Sequence, residues 1–276
     1  MASETSSFAP ANISCIFRIY QHKNPRWMGS YGLGFTLNEG VVVKAEMAKR
    51  TEVVFNNTPI NFPTVKGVVG KLSKEKLRIC IKSKLPLGCG FGLSGASALA
   101  TAYAVNELLT LKRSDKELAI ISHTAEVENK TGLGDVVNQF YGGFCLKLKP
   151  SSYFIIERIQ INNVDVYCKY FSRLSTKSII INPKLRDKIN DTADTSLNKI
   201  QQLIEKIQFK DIIKISKEFA VSSGLLKDKK SLETIKKIEA NNGNASMIML
   251  GNAIFSDKPF KGAMNLRISS EGAHLL

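Results

Sequence analysis

Histidine, cysteine and tryptophan are scarce: 276 residues include three His, five Cys and one Trp. His22, His123 and His274 form no H-x-x-x-H pair and no His/Cys cluster, so a zinc site is not expected. The cysteines (Cys15, Cys80, Cys89, Cys145 and Cys168) are odd in number, widely spaced and without a C-x-x-C pair. That pattern argues against a disulfide framework and for reduced, mostly buried thiols in a cytoplasmic protein. Long apolar runs are missing as well. The most membrane-like stretch, Leu93 to Leu111, is rich in Ala, Gly and Ser and holds Asn106 and Glu107, so it reads as a buried helix and not as a span. The opening MASETSSFAPANIS lacks the basic and apolar regions of a signal peptide. Internal repeats and low-complexity linkers are absent.

What is present is an ordinary globular composition, 43% hydrophobic and 23% charged, with a basic excess of +15. The excess is spread evenly: +8 over residues 1–150 and +7 over 151–276, with no basic tail or dense block. Thirty of the 39 basic residues are Lys and not the Arg favoured at base edges. A nucleic-acid partner is therefore not expected. A solvating lysine surface that also draws in small anions is.

The first 65 residues read as strands, with runs at 13–20, 34–44 and 51–55, and Leu77–Lys82 alternates as a half-exposed strand. A helix is expected over about 94–111. Ser114-Asp-Lys-Glu117 has the form of a capping box and opens a second helix to about Asn129. Strand-like runs return at 144–148, 153–161 and 178–181. A lysine-rich helical region over 185–240 follows, broken near Ser222-Ser-Gly224, and then closing strands at 246–250 and 266–268. The order of elements predicts an α+β fold with a mixed or antiparallel sheet. Pro150-Ser-Ser152 suggests a division into residues 1–150 and 151–276.

Pro86-Leu-Gly-Cys-Gly-Phe-Gly-Leu-Ser-Gly-Ala-Ser-Ala98 places four glycines and two hydroxyls between a strand and a small-residue helix. Glycines let a backbone approach an anion closely, and free N–H groups at a helix start favour phosphate. Gly90-x-Gly92-x-x-Gly95 matches the dinucleotide fingerprint, but no strand ending in an acid follows about 20 residues on. No G-K-[ST] occurs, which excludes a Walker loop, and the protein-kinase H-R-D and D-F-G motifs are missing.

The same loop resembles P-x-G-x-G-L-G-S-S-x-A, the ATP loop of the galacto-, homoserine, mevalonate and phosphomevalonate kinases, the GHMP family. Leu93 stands where that family has the first of two serines, and Ser94 keeps the second. The segment Glu126-Val-Glu-Asn-Lys-Thr-Gly-Leu-Gly-Asp135, continuing to Gly142-Gly143, resembles the family's metal-binding Glu and its S-G-x-D element. Ala9-Pro-Ala-Asn-Ile13 is similar to the first motif without its G-E-H ending, and Asn244 to Gly251 carries one glycine where many members have a cluster. Together with Trp27-Met-Gly-Ser-Tyr-Gly-Leu-Gly34, these segments resemble one branch, the archaeal pantoate kinases.

The resemblance implies a ribosomal protein S5 domain 2-like N-terminal half, for ATP binding, and a ferredoxin-like C-terminal half. It also implies phosphorylation of the primary hydroxyl of pantoate toward coenzyme A, with ATP and Mg²⁺; other acceptors within the family, such as homoserine or shikimate, stay open. A homodimer is usual for the branch, and no membrane partner is implied. By the same resemblance the ATP loop is Pro86, Gly88, Gly90, Gly92, Leu93, Ser94, Gly95, Ala96 and Ser97. Ser94 and Glu126 bind metal, with Ser97 and Glu128 as their alternatives, and Asp135 meets the reacting hydroxyl. A carboxylate-bearing acceptor needs cationic or hydroxyl partners. Lys147 lies where the family commonly has Arg, His123 lies one turn before Glu126, and Thr176 lies in a Ser-Thr-Lys loop. Ser14 and Arg18 share a face if the strand over 13–20 is regular.

Overall fold

The computed structural model describes residues 4–161, 164–173 and 182–276. Two very long strands, β1 (Glu4–Tyr20) and β2 (Gly29–Met47), form an antiparallel ribbon on which the first sheet is built. β3 (Glu52–Phe55) and β4 (Thr58–Pro59) make a hairpin. The chain then passes through α1 (Pro63–Leu72) into β5 (Leu77–Lys82), which lies parallel to β3 and antiparallel to β2. β6 (Phe144–Lys147) pairs with the far end of β2, and β7 (Glu157–Ile159) with β6. β12 (His274–Leu275) returns from the chain's last residues to flank β1.

Three helices cover this sheet with α1. α2 (Leu93–Leu108) is buried almost all round. Its Ala, Gly and Ser side chains are small enough to let it lie between the β1–β2 ribbon and α1, α3 (Asp115–Asn129) and α4 (Asp135–Tyr141). Ser114 and Glu117 form the expected capping box at the start of α3.

The second sheet has strand order β11-β8-β10-β9, all antiparallel, from β8 (Asp165–Ser172), β9 (Ala245–Met247), β10 (Asn252–Ser256) and β11 (Met264–Arg267). This is ferredoxin-like order. Helices α5 (Pro183–Leu203), α6 (Phe209–Ser222) and α7 (Lys229–Ala240) occupy the connection from β8 to β9. Strands that run the same way usually need a long crossover, yet β10 and β11, on either side of β8, are joined by residues 257–263 alone. Their stagger on β8 explains it: Ser256 ends opposite Tyr167 and Met264 begins opposite Cys168, so the chain need not travel back.

Phe35 and Phe144 from the first sheet, Phe209 from α6 and Phe255 from β10 pack ring against ring, with Phe35 centred 4.8 Å from Phe144 and 5.8 Å from both others. This cluster fuses the two sheets into one core. All five cysteines are unbonded, four of them buried. Among the described residues no helix is long and apolar enough to cross a membrane.

Several expected elements differ. Residues 63–65 fall in the stretch read as strands but open α1, and residues 66–72 belong to no expected element. The β-branched residues and two glycines of Pro-Thr-Val-Lys-Gly-Val-Val-Gly disfavour a helix. Burial of Thr64, Val65, Val68 and Val69 against α2 and α3 outweighs that local preference. The run 153–161 is mostly irregular, a 3₁₀ turn at Ser151–Tyr153 followed by the short β7. β8 was not anticipated, and the strand expected at 178–181 lies outside the described residues.

Candidate active site

The glycine loop joins β5 to α2 along one wall of a cleft of about 330 Å³. Gly88, Gly90 and Gly92 all have positive φ (80°, 94° and 62°), which side-chain-bearing residues rarely adopt. Gly92 caps α2, so the N–H groups of Leu93, Ser94 and Gly95 open the helix without intrahelical partners. The loop is backed from the other end of the chain. A Cβ on Gly90 would lie 2.9 Å from Gly251 Cα, and one on Gly251 would collide with the Cys89 carbonyl. Met249 N–H donates to the Ser14 carbonyl, which ties the same segment to β1. Phe62, Leu87, Phe91, Met249 and Leu250 give the cleft apolar walls, and Ser14, Ser94, Thr131 and Asp135 its polar floor.

The two serines of the loop differ. The Ser97 hydroxyl donates to the Leu93 carbonyl (2.7 Å) within α2, whereas the Ser94 hydroxyl is buried without a partner. The two glutamates differ as well. Glu128 is exposed and pairs with Lys71 (2.8 Å), while Glu126 is 1% exposed and projects inward. Thr131 donates to Glu126 Oε1 (2.9 Å), and Oε2 is left unpartnered. The carboxylate occupies a slot between two glycines, since a Cβ on Gly132 would strike it and one on Gly95 would come within 2.9 Å of Oε2. Burial pushes its pKa up to about 8, with the like charge of Asp135 adding to the shift and the Ser94 and Thr131 hydroxyls opposing it.

Gln139 Oε1 is a third orphaned oxygen, 2.7 Å from the same imagined Cβ of Gly95. Three buried acceptors without donors, two of them converging on one gap, form a donor set that suits a hard cation. Among the described residues no group of three His, Cys, Asp or Glu side chains could hold a metal. A site with one carboxylate suits an ion that takes its remaining ligands from phosphate and water.

Asp135 is the first residue of α4 and reaches the cleft floor. Its Oδ1 accepts from Asn12 Nδ2 (2.7 Å) and Ser14 Oγ (3.1 Å). Burial raises its pKa and Lys147 opposes that rise. Register shifts between Pro10 and Asn12 and between Ser14 and Ile16 flank a regular stretch over 12–14, where the i, i+2 spacing puts both donors on one face. Arg18, expected beside Ser14, instead pairs with Asp194 of α5 (2.8 Å).

Of the expected acceptor contacts, His123 is buried, and its Nε2–H donates to the Met28 carbonyl (2.8 Å). Burial, countered by that bond, takes its pKa down to about 4, so the ring is neutral and anchors the β1–β2 loop. Ser30, just after this loop at the start of β2, comes close to Gly134, whose Cβ would collide with the Ser30 hydroxyl. Lys147 is 3% exposed and donates to Asn138 Oδ1 (2.6 Å). Thr176 lies outside the described residues. Asn12, Asn138 and Gln139 were given no role from the sequence, although all three sit inside the motifs it singled out.

The family profile "GHMP kinases N terminal domain" matches residues 63–143. A pantoate kinase of Methanocaldococcus jannaschii is 34% identical over 254 residues, covering 90% of each chain. The chain belongs to the GHMP kinase family, in its pantoate kinase branch. A second relative, the pantoate kinase of Methanospirillum hungatei, is 30% identical over 92% of this chain and 87% of its own. A solved structure titled "Phosphotransferase related to CoA biosynthesis pathway" superposes with a TM-score of 0.85 at 24% identity, covering 99% and 98% of the two chains. The architecture is the α+β GHMP kinase fold that the resemblance implied, and ATP as phosphoryl donor comes with the family. The dinucleotide alternative falls with the topology, because α2 leads into α3 and not into a parallel strand.

Proposed function

We propose that this protein transfers the γ-phosphoryl group of ATP to the primary hydroxyl of pantoate, forming 4-phosphopantoate and ADP. One observation carries the phosphoryl-transfer reading: the glycine loop at the start of α2, Ser94 and Asp135 line one cleft, and the half-satisfied Glu126 carboxylate is buried behind Thr131 of the same lining. The acceptor follows from likeness to pantoate kinases over 90% of both chains.

In this reading the loop N–H groups from Gly88 to Gly95 bind the phosphates, while the Ala96 N–H is taken by the Gly92 carbonyl (3.1 Å). The apolar walls take the base, and Ser97 supports the loop from within α2. Ser94 and Glu126, with Gln139 beside them, would hold Mg²⁺. When bound, that ion would neutralise charge shared by the β- and γ-phosphates. Asp135 orients the acceptor hydroxyl and takes its proton on Oδ2, to which no described residue donates. The hydroxyl oxygen forms the new P–O bond, and the bond to ADP breaks with its electron pair leaving on ADP. His123 serves the site indirectly by holding the β1–β2 loop at Met28.

The test is ADP release from Mg-ATP with pantoate, homoserine, mevalonate and shikimate in parallel, beside Asp135→Asn. Release with pantoate alone, reduced roughly 10²–10⁴-fold in the variant, is the expected result. Release with another acceptor overturns the substrate, and full activity in Asp135→Asn overturns the role of the acid.

A further inference from the structure

Lys147 is the least expected group near the site. It is a lysine buried at the end of β6, and among the described residues it forms no ion pair. Its ammonium donates to Asn138 Oδ1 (2.6 Å), Asn138 Nδ2 donates to Asn12 Oδ1 (2.8 Å), and Asn12 Nδ2 donates to Asp135 Oδ1 (2.7 Å). Both asparagines are fully buried.

The direction of this chain follows from its ends. An ammonium can only donate, so the oxygen of Asn138 must face it and its nitrogen must face Asn12. A carboxylate can only accept, so the nitrogen of Asn12 must face Asp135. Turning either amide over would set N–H against ammonium or oxygen against carboxylate, a costly mismatch in a buried place. The fold leaves room for the path: a Cβ on Gly34 would come 2.5 Å from Asn138 Nδ2 and 3.3 Å from Asn12 Oδ1.

We propose that Lys147 is a positioning residue for Asp135, acting through Asn138 and Asn12 to occupy Oδ1 and leave Oδ2 as the oxygen presented to the acceptor hydroxyl. This rests on Asp135 as the base. Ser14 Oγ supplies the second donor to Oδ1 and itself accepts from Asn12 Nδ2 (3.2 Å), completing the clamp. The buried cation also favours the ionised carboxylate. Burial raises the pKa of Asp135, the Lys147 charge lowers it, and the like charge of Glu126 lies on the other side. Lys147 in turn faces the thiols of Cys145 and Cys15; burial lowers its pKa, while those thiols and Asp135 raise it. This role differs from direct contact with the acceptor's carboxylate, which the sequence suggested for the same lysine.

Steady-state kinetics of the full chain separate the two. Lys147→Met removes the cation, and the near-isosteric Asn138→Asp removes the donor to Asn12 while still accepting from Lys147. A relay predicts that each lowers kcat by roughly 10–100-fold with the acceptor KM within about threefold. It also predicts that the double variant is little worse than either single one and that the acid limb of kcat moves to higher pH. Lys147→Arg should recover part of kcat. A rise in acceptor KM of about tenfold or more with kcat intact would make Lys147 a substrate contact and overturn the proposal. So would wild-type kcat in Asn138→Asp. Thermal midpoints identify a variant that fails to fold, and Lys147→Arg then decides by the same split between kcat and KM. The kinetics use whichever acceptor the wild type phosphorylates, so failure of the pantoate reading leaves this test standing.

Discussion

Glu126 shows what burial does to a single carboxylate. Its carboxylate is closed in by Gly95 and Gly132, has one oxygen unbonded, and carries a pKa lifted from 4.5 to about 8, chiefly by burial. Between those values the folded chain holds a proton that the unfolded chain has lost. Stability therefore falls as pH rises from about 4.5 to 8, and above that the penalty is complete. Glu126→Gln should raise the melting temperature of the nucleotide-free protein at about pH 9, leave it nearly unchanged near pH 4.5, and abolish phosphoryl transfer. Thermal melts at the two pH values check the sign. A second residue-scale prediction concerns the serine pair. Ser94→Ala should cost roughly 10²-fold in kcat, because it removes an oxygen facing the cation gap. Ser97→Ala should leave kcat within about threefold, because its hydroxyl is bonded to the Leu93 carbonyl inside the helix. Parallel turnover measurements on both variants decide this. From the sequence, only the family resemblance favoured Ser94 over Ser97 and Glu126 over Glu128, because a spacing of two or three residues on a helix does not say which side chain meets a neighbouring element.

At the scale of elements, legibility followed locality. The glycine loop, the capping box at Ser114 and the α2 and α3 helices were readable because their determinants lie within a few residues of one another. α1 was not readable. Its valines and glycines disfavour a helix in isolation, and burial against α2 and α3 decides the outcome. β8 was missed because only Val166 and Cys168 are buried on it, while Tyr167, Tyr170 and Phe171 blur the alternation in the sequence. The contact between Gly251 and the glycine loop belongs to this scale too. The sequence registered Gly251 as the end of a departing third motif, and only the fold puts it against Cys89 and Gly90. Gly251→Ala should displace the loop and lower kcat/KM for ATP by on the order of 10²-fold, with a smaller effect on acceptor KM. Separate ATP and acceptor titrations would show the asymmetry.

For the molecule as a whole, an excess of fifteen positive charges spread over both halves forms a field and not a site. Both proposed substrates are anions, so that field should speed their capture. Raising KCl from about 50 mM to 0.5 M should lower kcat/KM several-fold while kcat at saturation changes less than about twofold. A kcat/KM indifferent to salt would show that capture owes nothing to the lysines. The Phe35, Phe144, Phe209 and Phe255 cluster and the return of β12 to the first sheet make the two sheets one cooperative body. The sequence by itself determined the α+β class and the resemblance to the GHMP family, and it marked the glycine loop and the acids at 126 and 135 as candidates, because each is written in contiguous residues with strong local chemistry. Only the tertiary structure decided that Asn12 and Ser14, between two irregularities in β1, meet Asp135 from more than 120 residues away in sequence. It also decided that Lys147 reaches the same carboxylate through two amides. Such networks are made by strand register and helix packing, and nothing local in the chain encodes them.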